Sequence, residues 1–557
     1  MKRQYTLLAL SISACSMAVV AAPVPNSGQL LQQQQPPVLP LPQTAVEVES
    51  GPVMMNPSDS NVQIPIQKMV IEGNHRFSAE QLHALVADAE GQSLTLTQLN
   101  EVVQRITQYY QSKGYSYSRA YLPQQTLHQG VVRIAILEAR YDQTQINNQS
   151  RTRNWLIDAT VAPLEVGTQI DSQQMEHQLK LLNRLSGVTT RNVLMPGAST
   201  GSSQLNVEVK NTALITGYVG ADNFGNEYTG KACFSAGIAL NNLAGLGDEL
   251  SLDGMTTGSD MNYGKVGYAF TFNGMGTRAG ASYSYLDYKL GKGLKVLDAK
   301  GHAAQTSVWI TQPALLTNTS ETLVTLQYDH KQLEDDIQLN QYYKQRDIDL
   351  ITARLDSSHF DQWVGGGLTQ FGASSSYGRV KFKNADAAAL DEQTAKTKGD
   401  FYNVGLNLSR LQNLGKKGTQ AYVGLYGQYS PYNLDSAEQY LSGGPFNVRG
   451  YEASQFAGSS GYYATTELRQ SLFSNAKNQV GAKIFVDTAE VILNAEKWQA
   501  NSGSNRTRIS SAGLGFNWNS IWNIQANAEV AFPIGNTPSQ LKDRDDNQYW
   551  LNLRKNF

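Results

Sequence analysis

Cysteine is nearly absent: two residues, Cys15 and Cys233, in 557. If Cys15 leaves with the N-terminus, no internal disulfide can form, and stability must come from hydrogen bonding and packing. Past the N-terminus there is no uninterrupted run of about 18 apolar residues, which excludes a helical membrane span. A membrane β-barrel remains open, since its strands need only every second residue to be apolar. Charge is scarce too, at 17% of residues with a net −2, so nothing marks a nucleic-acid binder. Seven histidines lie scattered without metal-ligand spacing, and no P-loop is present. Glycine and tyrosine, by contrast, are plentiful, at 48 and 28 residues.

The opening MKRQYTLLALSISACSMAVVAAPVP joins a basic start to an apolar stretch and small residues at Ala21 and Ala22, the pattern of a secretory signal peptide over residues 1–22. A lipobox ending at Cys15 is the rival reading; the apolar run through Val20 favours cleavage near Ala21/Ala22. Within 23–36, Asn26 to Gln35 reads either as a short helix capped by Ser27 or as a disordered tail. Residues 37–61 have the Pro/Ser/Asn-rich composition of a linker.

Residues 62–142 then read as a compact unit in the order β-α-α-β-β. Ser78 with Gln81 and Thr97 with Asn100 sit at helix-start spacing, and Gly91 and Gly114 fall where the helices should stop. Leu99, Val102, Val103, Ile106 and Tyr109/Tyr110 form one apolar helix face. A second unit of similar order follows over 143–210.

From 211 to 557 the period changes to two. Val266, Tyr268, Phe270 and Phe272 alternate with Lys265, Gly267, Ala269 and Thr271; Thr322, Val324, Leu326 and Tyr328 alternate with Thr325, Gln327 and Asp329. Long segments with aromatics near strand ends and a terminal phenylalanine imply lipid outside and water inside. At roughly 20 to 22 residues per strand and connector, this length predicts about 16 strands, closed because an open edge in hydrocarbon would strand backbone groups.

Two apparent motifs carry no chemistry. The G-x-S-x-G of Gly197-Ala198-Ser199-Thr200-Gly201 lacks the helix a nucleophile elbow needs and reads as a turn. Asp543, Asp545, Asp546 and Asn547 begin like a calcium loop, but Gln548 and Arg554 stand where Gly and Glu are required. No catalytic constellation, metal site or cofactor is expected.

Three stretches, SRAYLPQQTLHQGVVRIAILEARY, DNFGNEYTGKACFSAGIALNNLAGLGDELSLDG and GGPFNVRGYE, resemble the TpsB family of two-partner secretion transporters, which includes FhaC and the contact-dependent inhibition transporters, within the BamA-like superfamily. The resemblance runs from about residue 62 to the end. It implies a mainly β fold: a 16-stranded transmembrane barrel (211–557) in the bacterial outer membrane, preceded by two periplasmic POTRA domains (62–142 and 143–210) and an N-terminal plug helix. It further implies that Val448, Arg449, Gly450 and Tyr451 tip a loop folded into the lumen, with Arg449 facing Asp487 in a segment that also holds Phe485. Ala489 stands where that segment often has glycine, which puts close backbone approach there in question. The final strand resembles an outer-membrane assembly signal in Tyr549, Leu551, Leu553 and Phe557, with Lys555 interrupting the face and able to snorkel to the interface. The partners implied are a secreted exoprotein, outer-membrane lipids with lipopolysaccharide, and the barrel assembly machinery, for a chain that is monomeric.

Export without nucleotide is the leading functional reading, since the periplasm has no ATP. The POTRA units would take the substrate by strand addition beside Tyr109, Tyr110, Tyr115, Tyr117 and Tyr121, residues that a small unit also needs for its own core. A barrel insertase and a passive porin or adhesin are the alternatives. A loop tether in a wet lumen is expected to contribute little, roughly 0–1 kcal/mol.

Overall fold

The computed structural model describes residues 24–34, the backbone of 48–50, and 62–557 except 200, 416–417, 499–502, 539–540 and 542–546. The signal-peptide reading, most of the linker and most of the acidic 543–547 stretch lie outside the described residues. The first helix, α1, spans Ser27–Gln33. Its cap is Asn26 rather than Ser27: the Asn26 side chain accepts the N–H groups of Gly28 and Gln29, leaving Ser27 as the first helical residue.

In the first unit, the strand Lys68–Glu72 is followed by α2 (Ala79–His83) and α3 (Leu96–Ser112) and then by strands Arg119–Tyr121 and Val131–Leu137. Val131–Leu137 is the middle strand, parallel to the first and antiparallel to the second. Leu99, Val102, Val103, Ile106 and Tyr110 of α3 close a core against Val132, Ile134 and Ile136. The Ser78/Gln81 capping box forms. The other box is Thr95/Gln98, not Thr97/Asn100, because only a Gln or Glu at the third position is long enough to return to the cap N–H. The first predicted helix breaks after His83: Glu90 leaves the helical line to accept the Met69 N–H at 2.7 Å and meets the His83 ring at 3.0 Å.

The second unit runs Arg140–Asn148, α4 (Asn154–Val161), α5 (Ser172–Asn183), Val188–Pro196 and Ser202–Asn211. Its opening strand begins at Arg140, inside the range expected for the first unit. GVVRIAILEARY is two strands, because the Glu138 carboxylate turns aside to accept the His75 and Arg76 N–H groups at 2.9 and 2.8 Å. The segment Val48–Ser50, expected as linker, instead adds a parallel strand on the Val188–Pro196 edge. The G-x-S-x-G stretch is the turn of the following hairpin, where Gly197 donates to the Ser202 carbonyl.

Sixteen antiparallel strands, from Ile215–Asp222 to Gln548–Asn556, close into a barrel, and Tyr218 to Asp222 pair with Asn556 to Asn552 at the seam. Burial is inverted relative to a soluble sandwich. Val324, Leu326 and Tyr328 are exposed, while Thr325 and Asp329 between and beside them are buried. The same holds for Val266, Tyr268 and Phe272 against Ala269 and Thr271. A further helix, α6 (Ala385–Gln393), sits in the connection between strands Gly367–Phe382 and Gly399–Asn413.

The second unit docks directly on barrel turns. Arg153 donates its N–H to the Gly245 carbonyl at 2.9 Å, Asn242 Nδ2 reaches Thr152 Oγ1 at 2.8 Å, and Asn318 donates its N–H to Glu176 Oε2 at 3.1 Å. Lys180 also reaches the Thr317 carbonyl, and Arg184 pairs with Glu321.

Candidate functional site

Residues 430–459 connect strands Thr419–Tyr429 and Ser460–Ser474 at the barrel end away from the N-terminal units. Instead of projecting outward, this connection folds into the lumen. A short hairpin, Tyr440–Ser442 with Phe456–Gly458, gives it shape, and Gly443 and Gly444, at φ of 97° and 105°, supply a turn that side chains rarely adopt.

At its tip Arg449 is 3% exposed. Arg449 Nε donates to Asp487 Oδ2 at 2.9 Å, Nη2 to Asp487 Oδ1 at 2.7 Å, and the Arg449 backbone N–H to Asp487 Oδ2 at 3.2 Å. Nη1 reaches Glu467 Oε1 at 2.7 Å and Glu529 Oε2 at 3.2 Å. The guanidinium carbon stands 3.4 Å from the centre of the Phe485 ring, close enough for a cation–π contribution. Asp487, fully buried, also accepts from Thr465 Oγ1, Ser511 Oγ and Tyr463 OH. Lys483 bridges Glu529 and Glu467, and Arg469 pairs with Glu467.

The expected wet, weak tether is therefore corrected. The pair is sealed from water, and removing one partner of such a pair costs about 3–5 kcal/mol because it leaves the other charge buried and unmatched.

The neighbouring residues of the tip serve packing. Val448 and Tyr451 are buried with Phe456, Tyr463, Ala489, Val491 and Ile509. At the tip, close backbone approach falls at Gly450 rather than at 489: a Cβ on Gly450 would lie 2.6 Å from Ser511 Cβ and 3.0 Å from Pro533 N. Ala489, itself fully buried, fits without glycine.

Inside the same lumen, α1 buries Leu30 and Leu31 against Met261, Leu286, Tyr288, Leu434 and Ala437. Of the five candidate tyrosines of the N-terminal units, Tyr110 and Tyr115 lie in the first unit's own core. Tyr110 OH donates to Glu138 Oε1 at 2.8 Å. Tyr117 packs on the second unit's core, while Tyr109 and Tyr121 are half-buried. Tyr549, Leu551, Leu553 and Phe557 all point outward and are exposed, and Lys555 reaches back to the Trp522 carbonyl at a barrel turn.

Sequence reading missed Glu467, Glu529, Lys483 and Trp550, whose Nε1 donates to the Arg449 carbonyl at 2.8 Å. The available signal was parity. Glu467 and Asp487 share the polar face of their strands, as Glu529 does of Ile524–Ile534, and charge repeated on that face of neighbouring strands marks where a countercharge must sit.

Two family models match the chain. Residues 64–139 match the POTRA domain, ShlB-type, and residues 201–525 match the haemolysin secretion/activation protein ShlB/FhaC/HecB. The heme/hemopexin transporter protein HuxB of Haemophilus influenzae (strain 86-028NP) is 25% identical over 574 residues, spanning 100% of both chains. The outer membrane transporter CdiB of Escherichia coli O6:K15:H31 is 25% identical over 483 residues, 81% of this chain and 78% of that one. In three dimensions the chain is similar to CdiB from Escherichia coli, with a TM-score of 0.71, 20% identity and 95% of each chain covered; at that identity the likeness shows the fold. With a family match across more than half its length, this chain belongs to the ShlB/FhaC/HecB family of haemolysin secretion/activation proteins, the two-partner secretion transporters of the bacterial outer membrane.

Proposed function

We propose that this chain exports one large partner protein in extended form through its barrel, with Arg449 holding the inward loop and α1 acting as a plug. The observation that carries this reading is the buried Arg449–Asp487 pair at the tip of a loop folded into a closed barrel. The two N-terminal units act as successive POTRA domains, divided near Arg140. Arg119–Tyr121, at an edge of the first unit's sheet, is the edge on which an arriving strand would add, beside half-buried Tyr109 and Tyr121. The outward row ending in Phe557 is the assembly signal. Without nucleotide, the driving free energy comes from folding of the cargo outside the cell.

The test compares surface and secreted proteins of cells with and without this chain. Loss of one large exoprotein supports the reading, whereas general loss of outer-membrane barrels supports an insertase. Arg449→Ala and Asp487→Ala should each abolish that export while the barrel stays inserted; normal export by both single variants sinks the tether.

A further inference from the structure

A second buried guanidinium sits in the lumen, towards the end away from the periplasmic units. Arg346, on the strand Tyr342–Asp361, is 0% exposed. Burying such a charge is unfavourable unless its donors are matched, and here they are. Arg346 Nε donates to Asp435 Oδ2 at 2.6 Å, Nη1 to Asp335 Oδ2 at 2.8 Å and Nη2 to Ser436 Oγ at 3.0 Å. Asp435 and Ser436 belong to the base of the inward loop, and Asp335 to the wall strand Ser320–Ile337.

The other Asp335 oxygen, Oδ1, accepts the N–H of Ser27, the first residue of α1, at 2.7 Å and the Tyr288 hydroxyl at 2.8 Å. The contacts then close on themselves. Gly28, next in α1, lies so near the loop that a Cβ there would stand 2.7 Å from Ala437 N and 2.8 Å from Ser436 Oγ. Ala437 in turn donates its N–H to Asp435 Oδ1 at 3.1 Å. Lys344 places a second cation 3.3 Å from Asp435, and Lys331 pairs with Glu438 at 2.6 Å.

We infer that Arg346 is a positioning residue that ties α1 and the base of the inward loop to one wall carboxylate, so that neither leaves its seat without loosening the other. The inference rests on the reading of α1 as a plug. If the loop base moves, the guanidinium loses Asp435 and Ser436, and Gly28 loses the surface it packs on. If α1 leaves, Asp335 loses a backbone donor and water reaches Arg346, which weakens its attraction to both carboxylates. Such coupling is reciprocal. It is also separate from the loop tip, because Arg449 bonds to none of these groups.

The test is the open fraction of the purified full-length protein in planar bilayers, for Arg346→Met, for a deletion of residues 24–34, and for the two combined. Arg346→Met should raise the open fraction by about 5- to 150-fold, the usual range for a coupling between two sites. Combining it with the deletion should add nothing, and Arg346→Lys should recover part of the closed state. Heat-modifiable migration on gels reports whether each barrel is folded; should Arg346→Met fail there, Asp335→Asn reads the same contact. If the deletion leaves the open fraction unchanged, the plug reading falls and takes the inference with it. If the deletion opens the pore while folded Arg346→Met stays closed, or if the two effects multiply independently, the inference alone is overturned.

Discussion

Arg449 directs Nε, Nη1 and Nη2 to three carboxylates and one hydroxyl, a fan that lysine, as a point charge, cannot reproduce. Its neighbour gives a test that leaves charge untouched. Gly450→Ala would drive a methyl into Ser511 and the Pro533 backbone, so the tip should lift and export should fall as far as in Arg449→Ala, read as the ratio of secreted to retained cargo. In the first unit, Glu138 offers a pH test. Burial pushes its carboxyl up, but the Arg76 and His75 N–H groups and the Tyr110 hydroxyl outweigh this and hold it below the usual range. A depressed carboxyl stabilises the fold at neutral pH, and that contribution is lost as pH falls below about 4.3 and through the folded value. Glu138→Gln keeps an acceptor for these donors but loses the charge, so it should destabilise the unit by about 1 kcal/mol at pH 7, the difference between a hydrogen bond to a charged and to a neutral acceptor, and flatten its acid dependence. Hydrogen exchange at residues 73–77 of the full-length protein reads both effects. Asp487 and Phe485 came into view only through the family resemblance. Glu467 and Glu529 did not, since they are distant in sequence from Arg449 and only strand pairing brings them to it.

The helices show where local chemistry decides and where it yields. Ser78/Gln81 was readable because a capping box is complete within four residues. The start of α3 was misread by two residues because Thr97 and Asn100 have the spacing without the reach. The break after His83 and the strand Val48–Ser50 could not be read, because each answers to a partner far along the chain: Glu90 to Met69, and Val48–Ser50 to Asn192–Leu194. For α1 the cap itself is a lever. Asn26→Ala removes the acceptor for Gly28 and Gln29, which costs about 1 kcal/mol; the open fraction in bilayers should rise about fivefold, while the export-competent barrel assembles normally.

The barrel was legible because alternation in lipid is a constraint on every strand at once: reversing one strand's face would place Asp487 or Glu467 in hydrocarbon. The docking of the second unit was not, since the contacts of Arg153, Asn242 and Glu176 depend on which turns the closed barrel presents. The assembled molecule is a polar tube with periplasmic units seated on one rim and two separate internal ties, at Arg449 and Arg346. Its central claim, that an extended cargo passes through this tube, is tested most directly by photocrosslinking in cells. A crosslinker at Asn407, on the lumen face of the strand Gly399–Asn413, is compared with one at Leu406, which is exposed on the outer face, while a cargo with a locked folded domain is stalled in transit. The account predicts a cargo adduct at 407 and none at 406. Adducts at 406 alone, or none at 407 while the stalled cargo occupies the transporter, would contradict it.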